Sequence, residues 1–193
     1  MIVKMYVFIL ACCLSFLLTG CLDFERASVS IDLANKVAEV NFVNIVSNSS
    51  DEETVKEDFR DLIKRVYFDE DSKSDPDRIT SRRLYKSNER LDGIERFSFR
   101  SLQKVLKDFN IEMDKKGDYV LDLTKESESF QISGNGQTIE KDSKKFLKWH
   151  RYVKKIEFKE VSKEFDETKK TGLLQYWMDW VDRNMKKEQG TSG

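Results

Sequence analysis

Ala27-Ser28-Val29-Ser30-Ile31-Asp32-Leu33, then Ala34-Asn35-Lys36, then Val37-Ala38-Glu39-Val40-Asn41-Phe42-Val43-Asn44-Ile45-Val46, is the stretch from which an architecture can be argued. Apolar and polar residues alternate on both sides of the Ala-Asn-Lys break, the period of a strand with one face buried and one face wet. Two such runs around a short polar turn predict an antiparallel hairpin. A chain that begins its fold this way builds on an antiparallel sheet, so later helices must lie against that sheet's apolar face.

The chain downstream supplies both kinds of element. Val55, Phe59, Leu62, Ile63 and Val66 fall at helical spacing, with Glu57, Asp58, Asp61, Lys64 and Arg65 assigned to the opposite face. Ser50 and Glu53 have the spacing of a capping box at the start of this helix. Ile79 to Lys86 and Ile94 to Phe99 return to period two around a turn at Asn88 to Gly93, which predicts a second hairpin. Ser101 caps a short helix carrying Leu102, Val105, Leu106 and Phe109, and Ile111–Met113 with Tyr119–Leu123 bracket the turn Lys115-Lys116-Gly117-Asp118. Ser129–Ile132 and Gln137–Lys141 enclose Gly134-Asn135-Gly136, read as a hairpin turn with positive φ. Phe146–His150 and Val153–Val161 are the last strands. Strand pairs with occasional helices and no internal repeat predict one α+β domain: an antiparallel sheet of several hairpins, one long helix, a short helix and a C-terminal amphipathic helix.

The beginning of the chain has a different chemistry. After Lys4, its single charge, Met5 to Leu18 is apolar and ends in Thr19-Gly20-Cys21. A charged start, an apolar run and small residues before a cut describe an export signal. Leu18-Thr19-Gly20-Cys21 resembles the lipobox of bacterial lipoproteins, and that resemblance covers the first 21 residues only. It implies a diacylglyceryl group on the Cys21 thiol, cleavage before Cys21 and acylation of the new amino terminus. Two or three acyl chains anchor firmly, because each buried methylene contributes about 0.8 kcal/mol. The competing reading is an uncleaved helix, since the uncharged run has about the 18-residue length of a membrane span. Small residues and a cysteine at its end, in place of aromatic or basic flanks, favour cleavage. Cys12 and Cys13 would leave with the signal, so Cys21 is the one mature cysteine and no disulfide is available. The organisation expected is residues 1–20 as signal peptide, 21–26 as a short lipidated tether and 27–193 as the domain. Leu22 rather than aspartate after the cysteine favours the outer membrane in a two-membrane organism, by the same resemblance.

Composition narrows function further. Lys and Arg number 34 and Asp and Glu 35, for a net charge of −1, so no basic excess points to nucleic acid. Asp69 to Asp77 gathers five carboxylates, yet Ser74 and Thr80 stand where a calcium loop needs glycine and glutamate. It reads as a solvated loop around Pro76. His150 is the only histidine and has no second histidine or free thiol to build a metal site or a nucleophilic constellation with. No catalytic residue, metal ligand or cofactor is implied.

The most suggestive mature segment is the last. Leu173, Trp177, Trp180 and Val181 share one helical face, with Leu174, Met178 and Met185 beside it and Tyr176 nearby. Large aromatics usually pack on their own domain. The sharper alternative makes Leu173, Tyr176, Trp177 and Trp180 an interaction helix for a partner or a bilayer surface. The expected function is a non-catalytic envelope lipoprotein, held in the membrane by palmitate-type chains on Cys21 and acting on a protein partner. The alternatives are a lipid or small-ligand binder with a sheet-lined cavity and a hydrolase built on paired carboxylates.

Overall fold

The computed structural model describes residues 22–68, 78–123, 130–163 and 165–190. The expected signal segment, Cys21 and the acidic stretch Asp69–Asp77 lie outside the described residues. The elements are β1 (Leu22–Asp32), β2 (Val37–Ser47), α1 (Glu52–Ile63) running into a π-helical turn (Lys64–Phe68), β3 (Arg78–Ser87), β4 (Arg90–Phe99) and α2 (Leu102–Asp108). They continue with β5 (Ile111–Met113), β6 (Tyr119–Asp122), β7 (Phe130–Gly134), β8 (Gln137–Lys141), β9 (Lys144–Trp149), β10 (Lys155–Ser162), β11 (Thr171–Gly172) and α3 (Leu174–Gly190). Strands pair antiparallel in two sheets. The larger has the order β3-β4-β2-β1-β10-β7, with β11 beside the end of β2, and the smaller has the order β5-β6-β9-β8. The fold is α+β.

Register shows why one face is the core. Ala27, Val29 and Ile31 of β1 stand opposite Phe42, Val40 and Ala38 of β2, and these stand opposite Gly93, Glu95 and Phe97 of β4. These six apolar residues of β1 and β2 are buried, while Ser28, Ser30, Glu39 and Asn41 between them are only half-buried. The helices and the small sheet cover the buried face: Phe97 and Phe109 stack at 6.4 Å, and Phe109 meets Phe158 edge-on at 6.1 Å. One apolar cluster includes residues of both sheets and of α1 and α2.

The alternation slips once. Phe24 is buried like Ala27, although an odd spacing separates them, and its ring lies 5.5 Å from Phe42. Asn44, opposite Glu25, has φ of +58°, and a left-handed residue in a strand rotates the chain beyond it. There β2 also changes neighbours, from β4 to β11. The Asn44 amide, which has no ladder partner at that switch, donates to the buried Asp92 carboxylate at 2.9 Å.

Several expectations need correction. Residues 22–26 are not a tether: Leu22 and Phe24 are buried in β1, because the two-residue period begins at Leu22. The cap of α1 is Asp51, whose carboxylate accepts from Thr54 N–H at 2.9 Å, so the capping pair is one residue later than Ser50 and Glu53. Asp58 is buried on the packed face and accepts 2.6 Å from Ser47 Oγ, which ties α1 to β2. Among the described residues the longest helix is α3, not α1. The second hairpin turns on Asn88 and Glu89, both at positive φ, and Gly93 belongs to β4, where a Cβ would sit 2.9 Å from Ile45 Cδ1.

The largest correction is at Gly134-Asn135-Gly136. β7 belongs to the large sheet and β8 to the small one, so this is a crossing between sheets and not a hairpin. Its glycines are required by close approach rather than by positive φ. A Cβ on Gly134 would collide with the Glu157 carbonyl oxygen, and one on Gly136 would lie 2.8 Å from the Lys148 carbonyl oxygen. Asn135 fastens the crossing: its Oδ1 accepts from Trp149 Nε1 at 2.6 Å and from Glu157 N–H at 2.9 Å. The last two expected strands, β9 and β10, likewise lie in different sheets, joined through His150–Lys154.

Candidate functional site

Three places on the described surface carry candidate chemistry. The first is the end of the large sheet where β1 starts. Leu22 pairs with Ser47, and Ser47 pairs with Thr171. Lys170 Nζ bonds both Asp23 Oδ2 and Asn48 Oδ1 at 2.5 Å, and Thr171 Oγ1 donates to the Ser49 carbonyl at 2.7 Å. The chain bearing Cys21 therefore enters a closely bonded corner.

The second is the outer side of α3. Leu173, immediately before the helix, is fully buried, and Tyr176, Trp177 and Trp180 are partly buried against the core. Tyr176 reaches Phe59 of α1 at 5.9 Å. Trp180 stacks on Tyr67 at 4.9 Å, and Trp177 Nε1 donates to Tyr67 Oη at 3.4 Å. So of the four residues named as an interaction helix, Tyr176, Trp177 and Trp180 lean on α1 and on the π-helical turn of their own domain, and Leu173 is buried in its core. Tyr176, Trp177 and Trp180 remain part-exposed, as do Tyr67, 39% exposed, and Phe68, 64% exposed. Sequence reasoning missed Tyr67 and Phe68. The signal was two aromatics following Val66, after the apolar period of α1 had run out.

The third is a groove of about 460 Å³ between α2 and the outer face of the small sheet. Leu106, Ile111, Met113, Val120 and Phe146 supply apolar lining, while Gln103, Lys107, Asn110, Glu112 and Asp122 supply polar groups. Glu112 and Asp122 sit on neighbouring strands, Glu112 exposed and Asp122 half-buried. This groove was not legible in the sequence, because it depends on how α2 sits beside β5.

Other charged groups are fasteners. Lys148 Nζ lies 2.7 Å from Asp114 Oδ2 and 2.9 Å from Asp118 Oδ2, pinning the β5–β6 turn to β9. The Lys148 ammonium holds the Asp114 carboxyl down to about 2 and lowers Asp118 as well, while both carboxylates raise Lys148. Arg82 donates to the Arg65 carbonyl at 3.1 Å and approaches the buried Glu95 at 3.5 Å, holding the π-helical turn to β3 and β4. His150 is exposed at a turn, its ring 5.1 Å from that of Tyr152 and its Nδ1 accepting from Tyr152 N–H at 3.4 Å. No group of three or more metal-ligating side chains occurs among the described residues, and no helix among them is long and apolar enough to cross a membrane. No family model, curated protein or solved structure matches this chain.

Proposed function

We propose that the chain is an extracytoplasmic lipoprotein, anchored through acyl chains on Cys21, that acts by protein contact in the cell envelope and not by catalysis. The observation that carries this reading is the boundary at Cys21. An apolar run ending in Leu18-Thr19-Gly20-Cys21 stops one residue before a strand with a polar outer face. The described residues contain no cysteine. Lipidation accounts for both the cleavage-like small residues and the lone mature thiol. The half-exposed aromatics Tyr67, Phe68, Trp177 and Trp180 support the protein-contact part, since aromatic side chains are enriched where partners dock.

The test is metabolic labelling with palmitate. Label should appear in the full chain and vanish in Cys21→Ser, which should accumulate as precursor. Label retained by the variant would overturn the reading. Fractionation of a two-membrane host should place the protein in the outer membrane, given Leu22 after the cysteine. One observation favours a second reading: the groove is in the size range of small-ligand sites and has an apolar floor at Val120 and Phe146. A fluorescent fatty acid should then bind, and Val120→Trp should abolish that binding by filling the groove.

A further inference from the structure

The distance between the proposed anchor and the fold is one peptide unit. Leu22 is 8% exposed, paired with Ser47 and continuous with an eleven-residue strand, so it is held to the sheet. Consecutive Cα atoms are about 3.8 Å apart. A thioether on Cys21 therefore has no flexible chain behind it. The end of the large sheet must follow the acyl chains down to the bilayer.

We infer that this end, formed by Asn48, Ser49, Ser50, Lys169, Lys170 and Thr171 around Leu22, rests on phospholipid headgroups and fixes the domain upright. The inference rests on lipidation of Cys21 as proposed above. The chemistry of the rim suits headgroups rather than hydrocarbon, because it offers amide, hydroxyl and ammonium groups. Among the described residues, the exposed large apolar side chains Tyr67, Phe68, Met113, Tyr152 and Met178 belong to other segments. Charge at the rim is mixed: Glu52 and Glu53 at the start of α1 pair with Lys56, Lys169 pairs with Asp166, and Lys170 pairs with Asp23. Contact should therefore form without anionic lipid. The opposite end of β1, at Asp32 opposite Lys155, stands roughly 30 Å away at the rise of an extended strand. α2 comes after β4 from that distal end, because Ser98 stands opposite Val37, and α2 carries the groove outward with it.

The experiment uses the full lipidated chain with single cysteines at Ser50, Lys169 or Lys154, each carrying a fluorophore, since acylation blocks Cys21. Reconstituted in phosphatidylcholine vesicles with a headgroup-linked quencher, Ser50→Cys and Lys169→Cys should be quenched several-fold more than Lys154→Cys. Ten glycine and serine residues inserted between Cys21 and Leu22, spanning roughly 17 Å, should erase the contrast and leave palmitate labelling intact. Equal quenching at all three sites in a palmitate-labelled chain would overturn the orientation and spare the anchor. Absence of palmitate label would overturn both. A contrast that survives the insertion would overturn the short anchor as its cause.

Discussion

Asp142 and Ser143, at φ of +51° and +60°, close the β8–β9 hairpin in the left-handed conformation that L-residues enter at a cost of roughly 1–2 kcal/mol. Glycine carries no such penalty, so Ser143→Gly should raise stability by about 1 kcal/mol in urea denaturation. Unchanged or lower stability would show that Ser143 contributes something beyond backbone geometry. A second residue-level expectation comes from Lys148. Asp114 has its carboxyl lowered from 3.8 to about 2, so the stability it contributes is fully present above 3.8 and is lost as pH falls towards 2. Lys148→Met should remove this contribution, and the gap in melting temperature between parent and variant should narrow across that interval. A gap independent of pH there would reject the linkage. Neither feature could be read from sequence. Asp142-Ser143 does not advertise a hairpin turn as Gly134-Asn135-Gly136 does, and yet the first is the turn and the second is the crossing. Local chemistry reports that the chain bends or that a side chain is missing, not which backbone approaches.

Helices were the more legible elements, because their partners matter less to their pattern. Val55, Phe59, Leu62 and Ile63 are buried as their spacing predicts, and α2 carries its predicted cap at Ser101, 3.3 Å from Lys104 N–H. α3 was legible as amphipathic, but its strongest attachment lies just outside it. Leu173 is fully buried between β11 and the helix, whereas Trp177 and Trp180 keep part of their surface in water. Leu173→Ala should cost about 2–5 kcal/mol in urea denaturation, as for other buried leucines. Met178, 38% exposed, should tolerate serine with little change. Trp177→Ala together with Trp180→Ala should also lower the melting temperature, since the pair holds Tyr67 and the π-helical turn in place. If the double variant melts like the parent, the aromatic contacts add nothing to the domain and the helix is free to serve a partner. Strands joined by short turns were legible as pairs, as β1–β2, β3–β4 and β5–β6 show, whereas pairings between strands distant in sequence were not. Alternation identifies which side chains face inward, as along β10, but nothing in that period names the neighbouring strand.

At the scale of the molecule, the chain passes between the two sheets four times, and two of these crossings, β7 to β8 and β9 to β10, lie side by side. Asn135 in the first accepts from Trp149, the last residue of β9, and from Glu157 in β10, so the crossings share one set of hydrogen bonds. Apolar residues of both sheets also belong to one cluster. Neither sheet can lose its packing while the other keeps its own, and unfolding should therefore be a single cooperative transition. Tryptophan placement makes this measurable: Trp149 reports the small sheet, while Trp177 and Trp180 report the face of α1. Variants keeping one reporter group or the other should give coincident urea curves. The crossing itself is tested by glycine. A methyl group at Gly134 would meet the Glu157 carbonyl oxygen and lie 2.8 Å from Leu147 Cδ2, with backbone on one side and the small sheet on the other. Gly134→Ala should then cost at least about 1–3 kcal/mol, the range for overpacking. Gly172→Ala, where nothing lies within 4 Å, is the matched control and should be nearly neutral. Equal effects of the two substitutions would mean that the close approach of the sheets contributes nothing to stability. Two separated transitions in the parent would mean that the sheets fold as independent units despite their shared core.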